Sequence, residues 1–251
     1  MLQSTPNRWL VGGRGDSAAT IRLFAFSYAG GGASVFRQWN RLLPPHIDTY
    51  AVQLPGRETR FTDPRLTRFT DAVEAIADAL RPSFDRPFAF FGHSLGGSLA
   101  FETARHLRRL NAPVPMHLFV SGCSAPQIKE RKEEYSKLSN NEFLQVVQKY
   151  GGIPNEVLQH TELLELMLPV LRADFSLFES YHYVEEAALD FPITAFGGLE
   201  DGETPQENLA AWKTQTVKAF RLRMFQGGHF YLQAAQSQLL DEIARDLARL
   251  P

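Results

Sequence analysis

The 251-residue sequence contains a single cysteine, Cys123, so no disulfide can form within the chain. No apolar stretch approaches the roughly 20 residues of a membrane-spanning helix, and the N-terminal residues lack the apolar segment of a secretory signal. The net charge is only −2, so there is no basic surplus for nucleic acid or an anionic membrane. These absences argue against secreted, membrane and nucleic-acid-binding classes, and we expect a cytoplasmic protein.

The sequence also lacks the motifs of metal and nucleotide sites. There is no H-E-x-x-H and no paired Cys or His spacing typical of a metal. A glycine run at residues 30–32 could hold phosphate, but neither G-x-G-x-x-G nor G-x-x-x-x-G-K-[ST] is present. We therefore predict that the protein holds no metal and no bound cofactor.

What is present is the pattern of an α/β protein, in which short apolar runs alternate with amphipathic segments. A segment without a predicted strand, residues 125–186, interrupts this alternation. We predict one domain over residues 1–251, a helical insertion at 125–186, and a loosely held tail at 1–17. The predicted strands are 21–27, 49–54, 87–91, 116–121, 191–196 and 220–225, and the predicted helices are 68–80, 94–109, 141–149, 161–181, 204–215 and 232–250.

Residues 92–96 (GHSLG) form a G-x-S-x-G pentapeptide between a predicted strand and a predicted helix. This is the setting of a nucleophile elbow, a strained turn whose small flanking residues let neighbouring segments approach. The pattern predicts Ser94 as a catalytic nucleophile. Cys123 is the other candidate nucleophile, but no base is placed near it by position, and a lone cysteine at a strand end is typically buried.

A serine nucleophile requires a base and a carboxylate, expected in the chain order Ser, Asp or Glu, His. Of seven histidines, only His229 lies in a loop directly after the final predicted strand. Glu200 and Asp201 follow the preceding strand, and Asp201 is favoured because Gly202 places it at a tight loop. The predicted catalytic residues are therefore Ser94, Asp201 and His229.

An oxyanion hole requires two backbone N–H groups, one from the residue after the nucleophile and one from the loop after an early strand. The first is the amide of Leu95. The second is expected from residues 28–32 (YAGGG), where we choose the amide of Ala29.

At this point the sequence resembles a known family, the type II thioesterases of polyketide and nonribosomal peptide synthesis. Six segments carry the resemblance: SYAGGGASVFRQW (27–39), QLPGRETR (53–60), PFAFFGHSLGGSLAFETAR (87–105), SGCSAP (121–126), LPVLRADFSLFESYHY (168–183) and FQGGHFYL (225–232).

The resemblance implies an α/β-hydrolase fold, with a mostly parallel central sheet flanked by helices and a helical lid at 125–186. It implies hydrolysis of acyl or aminoacyl thioesters on the phosphopantetheine arm of carrier proteins, met transiently by a monomeric enzyme. Two other readings stay open: a small-molecule carboxylesterase or lipase with the same triad, and a non-catalytic binding module.

Other residues are assigned by the same resemblance. Tyr28, Phe175 and Phe178 are expected at the substrate, although the aromatic residues of the insertion could equally anchor it to the body. Arg57 and Glu58 are expected to form a structural ion pair rather than a substrate contact. A basic cluster is a possible docking patch for the carrier protein: Arg105, Arg108 and Arg109.

Overall fold

The computed structural model describes residues 7–15, 19–128, 134–149 and 160–249. Seven strands of these residues form one sheet in the order β1-β3-β2-β4-β5-β6-β7, in which only β1 is antiparallel to its neighbour. The strands are β1 (Leu10–Gly12), β2 (Ile21–Phe26), β3 (Ile47–Val52), β4 (Phe88–His93), β5 (Leu118–Ser121), β6 (Ile193–Gly198) and β7 (Phe220–Phe225). This confirms the predicted mostly parallel sheet.

The helices of the described residues connect the strands and cover the sheet. They are α1 (Trp39–Leu42), α2 (Phe69–Leu80), α3 (Leu95–Arg109), α4 (Asn140–Lys149), α5 (Thr161–Ser180), α6 (Gln206–Ala210), α7 (Tyr231–Ala234) and α8 (Gln236–Leu247). The single helix predicted at 232–250 is wrong, because Ala235 separates α7 from α8. The helix predicted at 204–215 is a short α-helix followed by a 3-10 turn at Ala211–Gln215.

Residues 7–15 contact the sheet, unlike the loosely held tail predicted at 1–17, of which residues 1–6 and 16–17 lie outside the described residues. Strand β1 pairs with β3, with Leu10 opposite Val52, and the Trp9 carbonyl accepts from the Gln53 amide at 2.8 Å. The guanidinium of Arg60 lies 4.1 Å from the centre of the Trp9 ring. A three-residue edge strand has no periodicity long enough to detect, which explains the wrong prediction for these residues.

Phenylalanine fills both faces of the sheet. In β4, Phe88 and Phe90 pack in the cluster beneath α2 and α3, whereas Phe91 packs in the cluster on the opposite face. Successive strand residues point to opposite faces, so a strand covered on both sides is apolar at every position. The 19 phenylalanines of the sequence are thus used largely in a double-sided core.

Between β5 and β6 the described residues form helices and no strand, and residues 129–133 and 150–159 of the predicted insertion lie outside the described residues. Helix α4 and the middle of α5 have a small core of their own, made by Phe143, Val147, Leu168 and Leu171. The end of α5 instead belongs to the main core, where Tyr181 stacks on Phe69 with ring centres 4.4 Å apart. The insertion is therefore anchored to the body at its C-terminal end.

Within the described part of the chain, no helix combines the length and the apolar character needed to cross a bilayer.

Candidate active site

Ser94 lies on a sharp turn at the carboxyl end of β4. It directly precedes α3 and has φ +54° and ψ −120°, a backbone conformation that residues other than glycine rarely adopt. The flanking glycines permit this turn, because a methyl group on Gly92 would collide with the Gly96 carbonyl, and one on Gly96 with the Phe26 carbonyl. Such strain, about 1–3 kcal/mol, persists only where the surroundings enforce it.

Asp201 and His229 follow β6 and β7 and meet at the same edge of the sheet. The Nδ1–H of His229 donates to Oδ2 of Asp201 at 2.8 Å, and the residues are only 9% and 7% exposed. The other oxygen of Asp201 accepts the amides of Glu203 and Thr204, at 3.1 and 3.2 Å. Glu200 is exposed, so the carboxylate that the fold brings to His229 is that of Asp201.

The environment of Asp201 favours its charged form. Burial by itself raises the pKa of this carboxyl, but the hydrogen bond and charge of His229 and the two backbone amides outweigh it, so the pKa lies below its usual value. An ionised Asp201 can only accept hydrogen bonds, so Nδ1 of His229 is the donor to it and Nε2 is the ring nitrogen that can act as a base.

The two predicted oxyanion donors lie close to Ser94. Leu95 is the first residue of α3, so its amide has no acceptor within the helix. In the loop after β2, the Gly30 amide donates to Asp174 at 2.7 Å and the Gly31 amide to the Tyr28 carbonyl at 2.9 Å. The Ala29 amide donates to no group among the described residues, and Ala29 lines a cavity shared with Ser94.

Two cavities meet at Ser94. The larger, about 470 Å³, has a mixed lining that includes Gln127, Tyr183 and His229. The smaller, about 80 Å³, lies beneath the inserted helices and is mainly apolar. Tyr28 and Phe175 line the smaller cavity and Phe178 lines both, so all three predicted substrate residues share a cavity with Ser94.

His93, which directly precedes Ser94, is part of a buried hydrogen-bonded chain behind the Ser94 turn. It is fully buried, and its Nδ1 lies 2.8 Å from Oγ of Ser121, which in turn contacts the Tyr231 hydroxyl at 2.5 Å. Its ring centre lies 5.1 Å from that of His229. Burial, and then the nearby His229, hold the pKa of His93 well below its usual value, so its ring is neutral. These contacts join the ends of β4 and β5 to Tyr231, the first residue of α7.

Arg57 forms a buried ion pair, but with a residue that the sequence analysis missed. It binds Asp174 of α5 through two hydrogen bonds of 2.7 and 2.6 Å, across 117 residues of sequence. Glu58 instead accepts from the amide and hydroxyl of Ser34. Asp174 lies in the family-like segment 168–183, yet no local pattern indicates its partner.

The predicted docking patch on α3 is largely occupied. Arg105, Arg108 and Arg109 all bind Glu186, and Arg105 also binds Glu102 within α3. Cys123 is buried beside the larger cavity, with its Sγ 3.4 Å from Oγ of Ser98. In the described ranges no group of three or more His, Cys, Asp or Glu side chains is arranged to hold a metal ion.

Comparison with known proteins decides the family. A family model described as a thioesterase domain matches residues 21–249, nearly the whole chain. The chain belongs to the thioesterase family. The predicted thioester hydrolase is thereby confirmed.

Relatives and solved structures place this thioesterase more closely. The gramicidin S biosynthesis protein GrsT of Aneurinibacillus migulanus is 41% identical over 244 residues, which are 97% of this chain and 95% of the relative. RedJ, a thioesterase of the prodiginine pathway of Streptomyces coelicolor, has a TM-score of 0.86 and 36% identity, with 91% of each chain covered. YbtT, a type II thioesterase of the yersiniabactin NRPS/PKS pathway, has a TM-score of 0.81 and 30% identity, covering 92% of this chain and 94% of its own.

By homology this chain is a type II thioesterase of nonribosomal peptide and polyketide pathways. The predicted family and the predicted α/β-hydrolase fold are both confirmed.

Proposed function

We propose that this thioesterase hydrolyses acyl or aminoacyl groups from the phosphopantetheine arm of carrier proteins, as a stand-alone editing enzyme. The observation that carries the proposal is the pairing of His229 with Asp201 beside the strained Ser94 turn, in a chain of the thioesterase family. Phosphopantetheine belongs to the partner and enters as part of the substrate.

The proposed mechanism uses Ser94 as nucleophile. His229 Nε2 takes the proton of the Ser94 hydroxyl while Oγ forms a bond to the thioester carbonyl carbon. The amides of Leu95 and Ala29 stabilise the resulting oxyanion. The carbon–sulfur bond then breaks, His229 returns the proton to the sulfur, and the free thiol leaves.

Deacylation repeats the same steps with water. His229 removes a proton from water, whose oxygen attacks the Ser94 ester. The oxyanion collapses, Ser94 recovers the proton from His229, and the free acid leaves. Asp201 remains ionised throughout and stabilises the protonated ring of His229.

The two cavities suit the two parts of such a substrate. The larger, mixed cavity fits an arm that carries amide groups, and the smaller apolar cavity fits the acyl group. In this proposal the inserted helices act as a lid that limits the entry of water. The carrier domain binds transiently to a monomeric enzyme in the cytoplasm.

The decisive experiment is a hydrolysis panel. We expect kcat/KM for acylated carrier proteins to exceed that for p-nitrophenyl esters of the same acyl groups by at least tenfold, on the order that remote binding contacts supply. A preference for the free esters would instead support the small-molecule esterase. Labelling by a fluorophosphonate, present in the wild type and absent in Ser94→Ala, separates both enzymes from a non-catalytic binding module.

The smaller cavity predicts a change in chain-length preference. Phe178 is half-buried between the two cavities, so Phe178→Ala joins and enlarges the space next to Ser94. We expect kcat/KM for long acyl chains to rise at least threefold relative to short ones, since each added methylene that gains burial contributes about 0.8 kcal/mol. The measurement is the ratio of kcat/KM between octanoyl and acetyl thioesters.

The matched control for this variant is Phe61→Ala, because Phe61 is 45% exposed. It should leave the octanoyl-to-acetyl ratio unchanged. An unchanged ratio in Phe178→Ala, together with a loss of thermal stability, would show that Phe178 anchors the insertion instead of bordering the acyl group.

A further inference from the structure

A buried charge pair joins the insertion to the loop that follows β2. The carboxylate of Asp174 is fully buried and Arg57 is 6% exposed. Both oxygens of Asp174 accept from the Arg57 guanidinium in the parallel arrangement that fixes both groups. The pair joins the loop after β3, which holds Arg57, to helix α5, which holds Asp174. Both side chains also hydrogen-bond to the loop after β2.

The loop after β2 is held by this pair at two backbone groups. The Gly30 amide donates to Oδ2 of Asp174 at 2.7 Å, and the Gly31 carbonyl accepts from Arg57 at 3.0 Å. The Gly31 carbonyl also accepts from the Ser27 hydroxyl at 2.8 Å. Helix α5 approaches so closely that a methyl group on Gly30 would lie 2.6 Å from a Leu171 methyl carbon.

We propose that Asp174 and Arg57 are positioning residues for the oxyanion hole, an inference that rests on the proposed function. Peptide groups are planar and rigid. With β2 fixed on one side and the Ala29–Gly30 peptide fixed by Asp174 on the other, the Tyr28–Ala29 peptide between them has little freedom. The Ala29 N–H thereby keeps a constant direction toward the reacting carbonyl.

Stability alone gives this pair little advantage. Desolvating two charges offsets much of their attraction, and apolar residues of similar volume are frequently as stable or more stable. Here Nε of Arg57 is buried without a hydrogen-bond partner among the described residues, which makes the pair less favourable still. An apolar pair, however, could hold neither the Gly30 amide nor the Gly31 carbonyl.

The test begins with Asp174→Asn. Asparagine replaces one carboxylate oxygen by an NH2 group, so an N–H donor is set either against Arg57 Nη2 or against both the Gly30 amide and Arg57 Nη1, and the three hydrogen bonds cannot all form. With a hexanoyl N-acetylcysteamine thioester we expect kcat to fall at least tenfold and KM to change less than threefold, as for other losses of oxyanion stabilisation. The inhibition constant of a hexanoyl trifluoromethyl ketone, which forms a tetrahedral oxyanion on serine, should rise in proportion.

A double variant separates positioning from stability. Arg57→Met with Asp174→Leu removes both charges, so we expect thermal stability to recover to near that of the wild type while kcat stays at least tenfold low. Recovery of kcat together with stability would overturn the proposal and leave the pair a packing feature. So would an unchanged inhibition constant in Asp174→Asn.

Asp246→Asn is the matched control, because Asp246 is also a buried carboxylate paired with an arginine, Arg221, but lies in α8. It should lower stability without changing kcat or the inhibition constant. Fluorophosphonate labelling of the wild type keeps the two proposals apart. A wild type that fails to label contradicts the serine mechanism, whereas a wild type that labels beside a fully active Asp174→Asn contradicts only the positioning role.

Discussion

His229→Ala is expected to lower kcat by about 10⁴- to 10⁶-fold, the range seen when a catalytic triad loses its base. The reason is that His229 is the imidazole paired with Asp201 beside Ser94. His93 lies close to it, with ring centres 5.1 Å apart, but its ring is buried and neutral, and its Nδ1 is paired with Ser121. The measurement is single-turnover hydrolysis of an acyl thioester, with fluorophosphonate labelling as a second readout.

The matched control is His46→Ala. His46 precedes β3 at the amino edge of the sheet, and its described hydrogen bonds involve its backbone carbonyl, which accepts from Thr20 and Ile21. The kcat of the His46→Ala variant should stay within about twofold of that of the wild type, as expected for a change away from the site. If both histidine variants retained activity, the base would lie elsewhere and the mechanism would be wrong.

The second large effect concerns the carboxylate. Asp201→Asn should lower kcat about 10³- to 10⁴-fold, because the amide group of asparagine favours the imidazole tautomer with its proton on Nε2. Glu200→Gln changes a neighbouring carboxylate that is exposed, and we expect it to be near neutral. The two values of kcat/KM, measured at one pH, decide between the carboxylates, and the reverse ranking would contradict the assignment of Asp201.

Asp201 also has a signature in the pH dependence of folding. Its pKa is lower in the folded state than its ordinary value of 3.8, so its interactions stabilise the fold above about pH 4 and are lost as the pH falls through the folded value. The difference in unfolding free energy between the wild type and Asp201→Asn should therefore shrink on acidification. Urea titrations at pH 7 and pH 3 measure it.

Local chemistry explains which features could be predicted from sequence. The Ser94 turn is visible because Gly92 and Gly96 are needed on either side of it, within five residues. His229 and Asp201 are visible because each follows an apolar strand, and parallel strands end at a common edge. Strand β1 has only three residues and escaped detection.

The pairing of Arg57 with Asp174 could not be predicted in the same way. Its partners are 117 residues apart, and each stands in a segment whose own pattern indicates only a loop or a helix. Pairing across such a distance follows from how α5 packs over the loop after β2, which is tertiary information. The same holds for Glu186, whose contacts with the α3 arginines occupy the patch that their spacing suggests as a docking surface.

The bond between Asp174 and the Gly30 amide has a consequence for protein engineering. Exchange of the insertion between thioesterases is an obvious route to new acyl selectivity, since its helices border the cavity next to Ser94. In this chain the exchanged segment would also carry the acceptor that holds the loop after β2. Residue 174 lies in the insertion and residue 57 outside it, so a chimera should carry a matched pair at these two positions. Without it, we expect the chimera to have a lower kcat whatever its acyl selectivity.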